Sequence, residues 1–411
     1  MPQARGSQAK FYLYDEDTYG QDPGTPAAKR VYLTGCNLAT TQNKLEDDTL
    51  LNARTRARPD AGNIDGGGSI PMNMAAEDIG PLLKHALGQV ATYRPVSTQP
   101  ANITGVTVAH AESTCPTGNG TLSFTAVGTL LSWQASGDTA GAGVDVSAGG
   151  TFTLQSGTAG AALTVTVAQA SLPGTDQSDT ITVVAAYKHV FTIGDLPAGF
   201  TFEKDFGANI AGTGRVEKFN GCRIATGTFD FPQEGYCTAN FDVKAANSTL
   251  QSAALDATPE DNGHTSFSAF RLATLEEGGA AIAKVKSHNY VLNNELDEDG
   301  YVQGGSNSGI RVDMSEGFAT VTGQITAIFD DATLLTKAIN STASSLRSVL
   351  KRGDGFGTAG NESIEFLVSA MEYERASPEV SGPGGILQQL NFKAYGSGSL
   401  QVTLFNSVAA V

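Results

Sequence analysis

Few residues in this chain are spaced for chemistry, and each candidate lacks a part that the chemistry requires. Gly355-Phe356-Gly357-Thr358-Ala359-Gly360 carries the glycine spacing of a dinucleotide-binding turn. That use needs a helix to begin there, with its N-terminus facing a pyrophosphate. Ser363–Val368 alternates like a strand instead, which predicts a hairpin loop. Glu295, Asp297, Asp299 and Gly300 imitate the first half of a calcium loop, but Ser306 stands where the bidentate acid belongs. The segment reads as a solvated acidic loop. His110-Ala111-Glu112 with Cys115-Pro116 opens like a zinc deaminase signature and lacks the Cys-x-x-Cys that completes it. His85, His110, His189, His264 and His288 show no metal-ligand spacing, and no Gly-x-Ser-x-Gly elbow occurs. No catalytic residue, metal ligand or cofactor site is expected. What remains is charge on two long polar loops. Arg54, Arg56 and Arg58 form the one basic cluster, and Asp297, Glu298 and Asp299 an acidic one. Without interleaved aromatics, and in an acidic chain, the arginines are expected to pair with acids on a neighbouring copy rather than with nucleic acid.

Composition points the same way. The chain has 411 residues, a formal net charge of −16, 48 glycines and only 17% charged residues. That is the profile of an all-β protein with many turns. An acidic chain does not grip a phosphate backbone, because such binding needs Lys and Arg to displace counterions. It can still surround DNA without holding it. The polar start, Met1 to Lys10, predicts no signal peptide, and no apolar run approaches a membrane span. Of the four cysteines, only Cys222 and Cys237 are close in sequence. A hairpin of Phe219–Phe231 against Tyr236–Lys244 sets Cys237 opposite Asp230. Cys222 then lies about 25 Å along the strand at ~3.3 Å per residue, too far to bridge. All four are expected as free thiols of a protein made in a reducing cytoplasm.

The elements that carry the charged loops read as two copies of one small module. Gly68-Ser69-Ile70 leads into a helix stripe of Ile79, Leu82, Leu83, Ala86 and Leu87; Gly323-Gln324-Ile325 leads into Leu334, Leu335, Ala338 and Ile339. Asn240-Phe241 with Lys244-Ala245 ends the first copy, and Asn391-Phe392-Lys393-Ala394 the second. In the first copy, strands are predicted at Val31–Thr41 and Ile64–Met72 around the loop Asn43–Asn63. In the second they are predicted at Ser287–Asn293 and Ala319–Phe329 around Asn294–Gly317. Pro81 and Gly88 bound the first helix, and Asp330-Asp331 caps the second. Between Arg94 and Lys188 there is no Lys or Arg, and alternating apolar runs are separated by Gly and Pro turns. This predicts an inserted immunoglobulin-like sandwich at 99–185, with Trp133 in its core. The first module then spans 1–98 and 186–260, the second 261–411. The fold class is mainly β: two tandem β-sandwich or barrel modules, each with one flanking helix, plus the insert.

Ala4-Arg5-Gly6 with Tyr14-Asp15-Glu16-Asp17-Thr18-Tyr19-Gly20, Phe191-Thr192-Ile193-Gly194-Asp195-Leu196-Pro197 before Thr201–Lys204, and Tyr373-Glu374-Arg375-Ala376-Ser377-Pro378 resemble, in their order, the tail tube proteins of long, non-contractile-tailed bacteriophages. The resemblance covers nearly everything outside the insert. It implies a structural virion protein, assembled in the host cytoplasm, whose stacked rings surround a DNA channel. Each module would give strands to an inner β-barrel and place a helix outside it. Its partners would be itself and the tail proteins at the tube ends, with no membrane and no cofactor. Six-membered rings of single modules imply three double-module chains per ring, a homotrimer with pseudo-sixfold symmetry; six chains per ring is the alternative. Each trimer would carry 3 × −16 = −48 formal charges. An acidic lumen would repel DNA. The arginine loop and the acidic loop would meet between stacked rings. Two other classes fit the composition less well: a bacterial surface or adhesin-type protein, and a carbohydrate-active enzyme on a β scaffold. The first wants a signal peptide and the second a carboxylate pair with an aromatic row.

Overall fold

A computed structural model describes residues 5–49, 55–56, 58–207, 210, 214–282, 284–303, 309–378, 380, 382–396 and 399–411. Strands make up 48% of the chain and helix 6%, so the protein is mainly β. Two compact units are present. One comprises Met1–Gln89, Thr192–Ser348 and Leu367–Gln401; the other comprises Val90–Phe191, Val349–Phe366 and Val402–Val411.

In chain order, a 3-10 turn (Gly6–Gln8) precedes β1 (Lys10–Asp15), β2 (Lys29–Val31), β3 (Ala39–Leu45), β4 (Asp60–Asn73), α1 (Gly80–Leu87) and β5 (Gly88–Arg94). Next come β6 (Val106–Glu112), β7 (Gly118–Thr125), β8 (Leu130–Gln134), β9 (Val144–Asp145), β10 (Gly150–Gln155), β11 (Ala162–Val167), β12 (Gln177–Val183) and β13 (Tyr187–Ile193). They are followed by β14 (Phe200–Asp205), β15 (Val216–Phe231), β16 (Thr238–Ala245) and β17 (Asn247–Gln251). A further 3-10 turn (Ala269–Arg271), the third after one at Gln169–Ser171 between β11 and β12, then leads to β18 (Leu272–Glu277), β19 (Ala280–Ala281), β20 (Val285–Asn293), β21 (Thr320–Ile328), α2 (Thr333–Ile339), β22 (Ser344–Lys351), β23 (Ser363–Tyr373), β24 (Leu387–Ala394) and β25 (Gln401–Asn406). With β5–β13 set aside, one order occurs twice: 3-10 turn, four strands, helix, four strands.

The first unit is organised by one antiparallel run, β3–β4–β16–β15–β20–β21–β24–β23. Period-two alternation separates its faces. Tyr290, Leu292, Val321, Ile325, Leu390 and Phe392 are buried on one face, while Asn289, Gln324 and Asn391 lie on the other. α1 starts with Pro81 in its first turn and stops at Gly88, whose φ is 94°. A Cβ there would lie 2.5 Å from the carbonyl oxygens of Gly194 and Asp195, so only glycine fits. At α2, the Asp331 carboxylate accepts from the Thr333 N–H at 2.7 Å.

Three expectations need correction. The continuous strand Val31–Thr41 is instead β2 and β3, with no ladder from Tyr32 to Leu38. There the chain follows β4 by single bonds, Thr34 N–H to Pro71 O and Asn37 N–H to Ser69 O, and the Asn37 side chain takes the Ser69 N–H. The polar loop Asn43–Asn63 is shorter than expected, because β3 runs to Leu45 and β4 begins at Asp60. In the β15–β16 hairpin Asp230 faces Thr238, so the expected register is off by one. The four cysteines are free thiols.

In the second unit, β6, β11 and β10 pair antiparallel, and β12, β7, β8 and β9 form a separate four-stranded sheet. They share a core of Trp133, Leu122, Phe124, Leu163, Val165 and Ile181, all buried. Entry and exit lie side by side: Val96 bridges Val183, and the Val184 N–H donates to Pro95 O at 2.9 Å. Residues 352–362 connect β22 to β23 as a loop with positive φ at Gly355, Gly357 and Gly360.

Gly68 and Gly323 sit where the sheet allows no side chain. A Cβ on Gly68 would lie 2.5 Å from the Leu38 Cα, and on Gly323 2.2 Å from the Asn289 oxygen and 2.4 Å from the Phe392 ring. Gly68→Val and Gly323→Val should each destabilise the protein by about 1–3 kcal/mol, the usual cost of overpacking. Urea unfolding checks this; wild-type midpoints would show that the strands yield freely at these glycines.

Candidate assembly interface

The two glycines define equivalent positions along the sheet. Val243 lies opposite both Gly68 on β4 and Ile224 on β15. Phe392 lies opposite both Gly323 on β21 and Tyr373 on β23. One rung further, Gly67–Lys244–Arg223 corresponds to Thr322–Lys393–Glu372. A side-chain bond repeats in the same place. Asn37 Oδ1 accepts from the Ser69 N–H at 2.5 Å, and Asn289 Oδ1 from the Gln324 N–H at 2.8 Å. The rungs align Asp242-Val243-Lys244-Ala245 with Asn391-Phe392-Lys393-Ala394. Lys-Ala therefore coincides as the sequence suggests, and the two Asn-Phe pairs are displaced by two positions.

Where the sets meet, β15 pairs with β20 from Thr226↔Asn293 to Phe231↔His288. Aromatic rings back this junction: His288 stacks on Phe231 at 4.4 Å, Tyr290 meets Phe231 edge-on at 5.8 Å, and Tyr290 contacts Phe392 at 6.1 Å. Ser348 Oγ bonds His288 Nε2 at 2.7 Å and the Tyr290 hydroxyl at 2.6 Å, satisfying both buried polar groups.

After β20 the chain is laid across the first set. The Asn294 amide donates to the carbonyls of Ala86 on α1 and Ile224 on β15, at 3.0 and 2.9 Å. Glu298 binds Lys244 at 2.9 Å. Arg311 is buried; it donates to Asp65 at 2.6 Å and Glu298 O at 2.8 Å and lies 5.0 Å over the Tyr301 ring. Arg223 donates to Met314 O at 2.7 Å and to Glu316 at 2.8 Å, with Asp313 at 3.9 Å. Arg311 and Arg223 are largely shielded from water, whereas Asp65, Asp313 and Glu298 are 60%, 59% and 41% exposed; removing the partners of a buried arginine would cost about 3–5 kcal/mol.

The sequence-predicted charges are placed as follows. Arg54 lies outside the described residues. Arg56 pairs with Glu46 and with Asp48 at 3.3 Å within its own loop and is exposed. Arg58 is exposed. Glu298 is held by Lys244, with Arg311 at 3.8 Å, while Asp297 and Asp299 remain exposed. Among the described residues no cluster of His, Cys, Asp or Glu is arranged to hold a metal ion. Sequence reading missed Arg223, Arg311, Lys244 and Glu316. Isolated charges on alternating strands give no signal until the register is known.

Among the described residues, the second set is more exposed than the first. Every residue of α1 but Lys84 is buried, whereas in α2 only Ala338 is. Ile339 is 46% exposed, Tyr395 45%, and Leu387 39%. Glu372 and Lys393, at the positions of Arg223 and Lys244, are exposed. A cleft of about 420 Å³ opens beside α2, lined by Ile328, Leu334 and Lys337.

Burial pushes the His288 imidazole down to about 3 from its ordinary 6.5. The unfolded chain takes up a proton below about pH 6.5 and the folded chain does not. This residue's contribution to stability is therefore full above that pH and falls as the pH is lowered towards 3, by about 1.4 kcal/mol per unit. His288→Gln should flatten the decline in unfolding free energy between pH 7 and pH 5 by that slope. Parallel wild-type and mutant curves would show that His288 is not the group responsible.

No curated protein matches the sequence. The profile of the phage tail tube protein family matches residues 6–394. The chain belongs to the phage tail tube protein family.

Proposed function

We propose that the protein polymerises as stacked rings into the tail tube of a virion, the conduit for DNA on ejection into the host. The observation that carries this reading is the β15–β20 junction. It joins two sets of strands with the same element order and leaves β3 and the segment after β23 to be joined between copies. Three chains per ring supply six such sets, giving true threefold and pseudo-sixfold symmetry. The first set corresponds to 1–98 and 186–260 and the second to 261–411. Residues 99–185 form an immunoglobulin-like projection, three per ring. Assembly takes place in the host cytoplasm, with other tail proteins capping the ends.

The channel face is the one carrying Thr228, Asn240, Asn289, Thr322, Gln324, Gln389 and Asn391, partly or fully exposed along the strand run. Its only acids on β15 and β16 are Asp230 and Asp242, and Lys244 and Lys393 oppose them. An acidic lumen that repels the phosphate backbone belongs to the same reading, and DNA would slide along the hydroxyls and amides of that face without being held. The exposed Asp297 and Asp299 are left to contact a stacked ring, with Arg54 their candidate partner there, while Arg56 and Arg58 serve the junction between neighbouring copies.

Electron microscopy of concentrated protein should show tubes with regular ring spacing and threefold averages with three projections. A protein that stays monomeric within intact virions overturns the reading, and six equivalent projections overturn the trimer. Because residues 95–97 and 182–184 adjoin, replacing 99–185 by a short Gly-Ser bridge should leave tube assembly intact. A deletion variant that cannot fold would place the insert in the core instead.

A further inference from the structure

The junction inside the chain is a template for the junction between chains, and the sequence differs between the two in one telling way. Counted back from Gly68 and Gly323, Arg56 falls at the position of Arg311, and Arg58 at the position of Asp313. On the receiving surface, Glu372 stands where Arg223 stands. The contact that is acid on the loop and base on the strand within the chain, Asp313 to Arg223, is thus reversed on both sides at once. Lys244 and Lys393 keep their sign, and so do the acidic starts of the loops, Leu45-Glu46-Asp47-Asp48 and Leu296-Asp297-Glu298-Asp299.

We propose that the uncovered surface of β21, β23, β24 and α2 receives residues 37–48 with Arg56 and Arg58 of a second copy, and that the reversed pair Arg58–Glu372 fixes the order in which copies join. This rests on the tube reading above. The acceptor edge is the segment after β23. Glu374 N–H donates to Asn391 O at 2.8 Å, and Arg375–Ser377 continue without a ladder on their other side among the described residues. In the first set the equivalent residues, Thr226–Phe231, pair with β20. The donor edge is β3, whose only ladder among the described residues is with β4. Transferring the β15–β20 register sets Glu374 opposite Thr41 and Ala376 opposite Ala39. Arg56 would repeat the Arg311 contacts by donating to the carbonyls of Ala394 and Val321. Leu45, 59% exposed, would be covered as Leu296 is.

Reversal biases the order. The basic loop is disfavoured on the first set, where Arg223 would face Arg58, and the acidic loop on the second, where Glu372 would face Asp313. Like charges facing each other there disfavour misjoined rings, though Asp313, at 59% exposure, keeps the penalty below that of a buried pair.

Charge-swap assembly tests the pairing. Glu372→Arg and Arg58→Glu should each raise the protein concentration needed for tubes about tenfold, and the double variant should return it to the wild-type value. Since an ion pair can be energetically small, Ala39→Cys/Ala376→Cys in a Cys36→Ser background provides a second readout: oxidation of tubes should link chains into a ladder of oligomers. Tubes that form without the ladder, or a double variant as defective as both singles together, overturn this pairing and leave the tube reading standing. A wild-type chain that never assembles overturns both.

Discussion

The structure depends on main-chain hydrogen bonding between β15 and β20. Each set of four strands ends in an edge, and an edge exposes N–H and C=O groups that must be paired or left to water. Joining two sets in one chain satisfies one such edge at no cost in translational entropy, because the partner is tethered and its effective concentration is high. The rings of Phe231, His288, Tyr290 and Phe392 pack behind that seam. Asn294, Glu298, Arg311 and Glu316 are then held against the strands just joined. The buried Arg311 is affordable only because Asp65, Glu298 and the carbonyls of Gly66 and Ala245 surround it.

Asymmetry between the sets follows from this seam. The helices are alike in sequence, Leu82-Leu83 with Ala86-Leu87 and Leu334-Leu335 with Ala338-Ile339. Their burial differs. Intrinsic preference and hydrophobic stripe are shared, so the difference comes from surroundings. α1 is overlaid by the chain following β20, seen in the bond from Asn294 to Ala86 O, and among the described residues α2 has no such cover and buries only Ala338. A helix-to-strand ion pair is kept in both: Lys84 and His85 bind Asp15 at 2.8 Å, and Lys337 binds Glu277 at 2.6 Å. Burial works against ionisation of Asp15, yet the hydrogen bonds and charges of His85 and Lys84 hold its carboxyl well below the ordinary carboxylate range. The fold thus anchors each helix to its own set independently of what later covers it.

How much of this was legible in the sequence depended on whether the signal was periodic. Strands β20 and β21 and helix α1 announce themselves through alternation and a continuous stripe, and each lies within a few residues of its expected place. The break between β2 and β3 was not legible. It arises from the Asn37 amide substituting for main-chain pairing at Ser69, a choice that local propensity does not reveal. The hairpin register was off by one only beside the turn, where Asp230 faces Thr238; the bulge between Ile224 and Thr226 returns the pairing at Ile224 and Arg223 to the expected one. At the interface, the charged clusters of the loops were visible but their partners were not. Arg223, Lys244 and Glu372 are single charges on strands, and only the rungs show which of them correspond.

Duplication within one chain permits something that a single-module ring cannot have. When every module is identical, every junction is the same contact, and a charge on the loop must suit the one surface available. With two modules, loop and surface can change together at one junction and stay unchanged at the other. Arg58 with Glu372, and Asp313 with Arg223, have the form expected of such a paired change. The divergence of the two sets then has a physical use: it distinguishes the seam within a chain from the seam between chains.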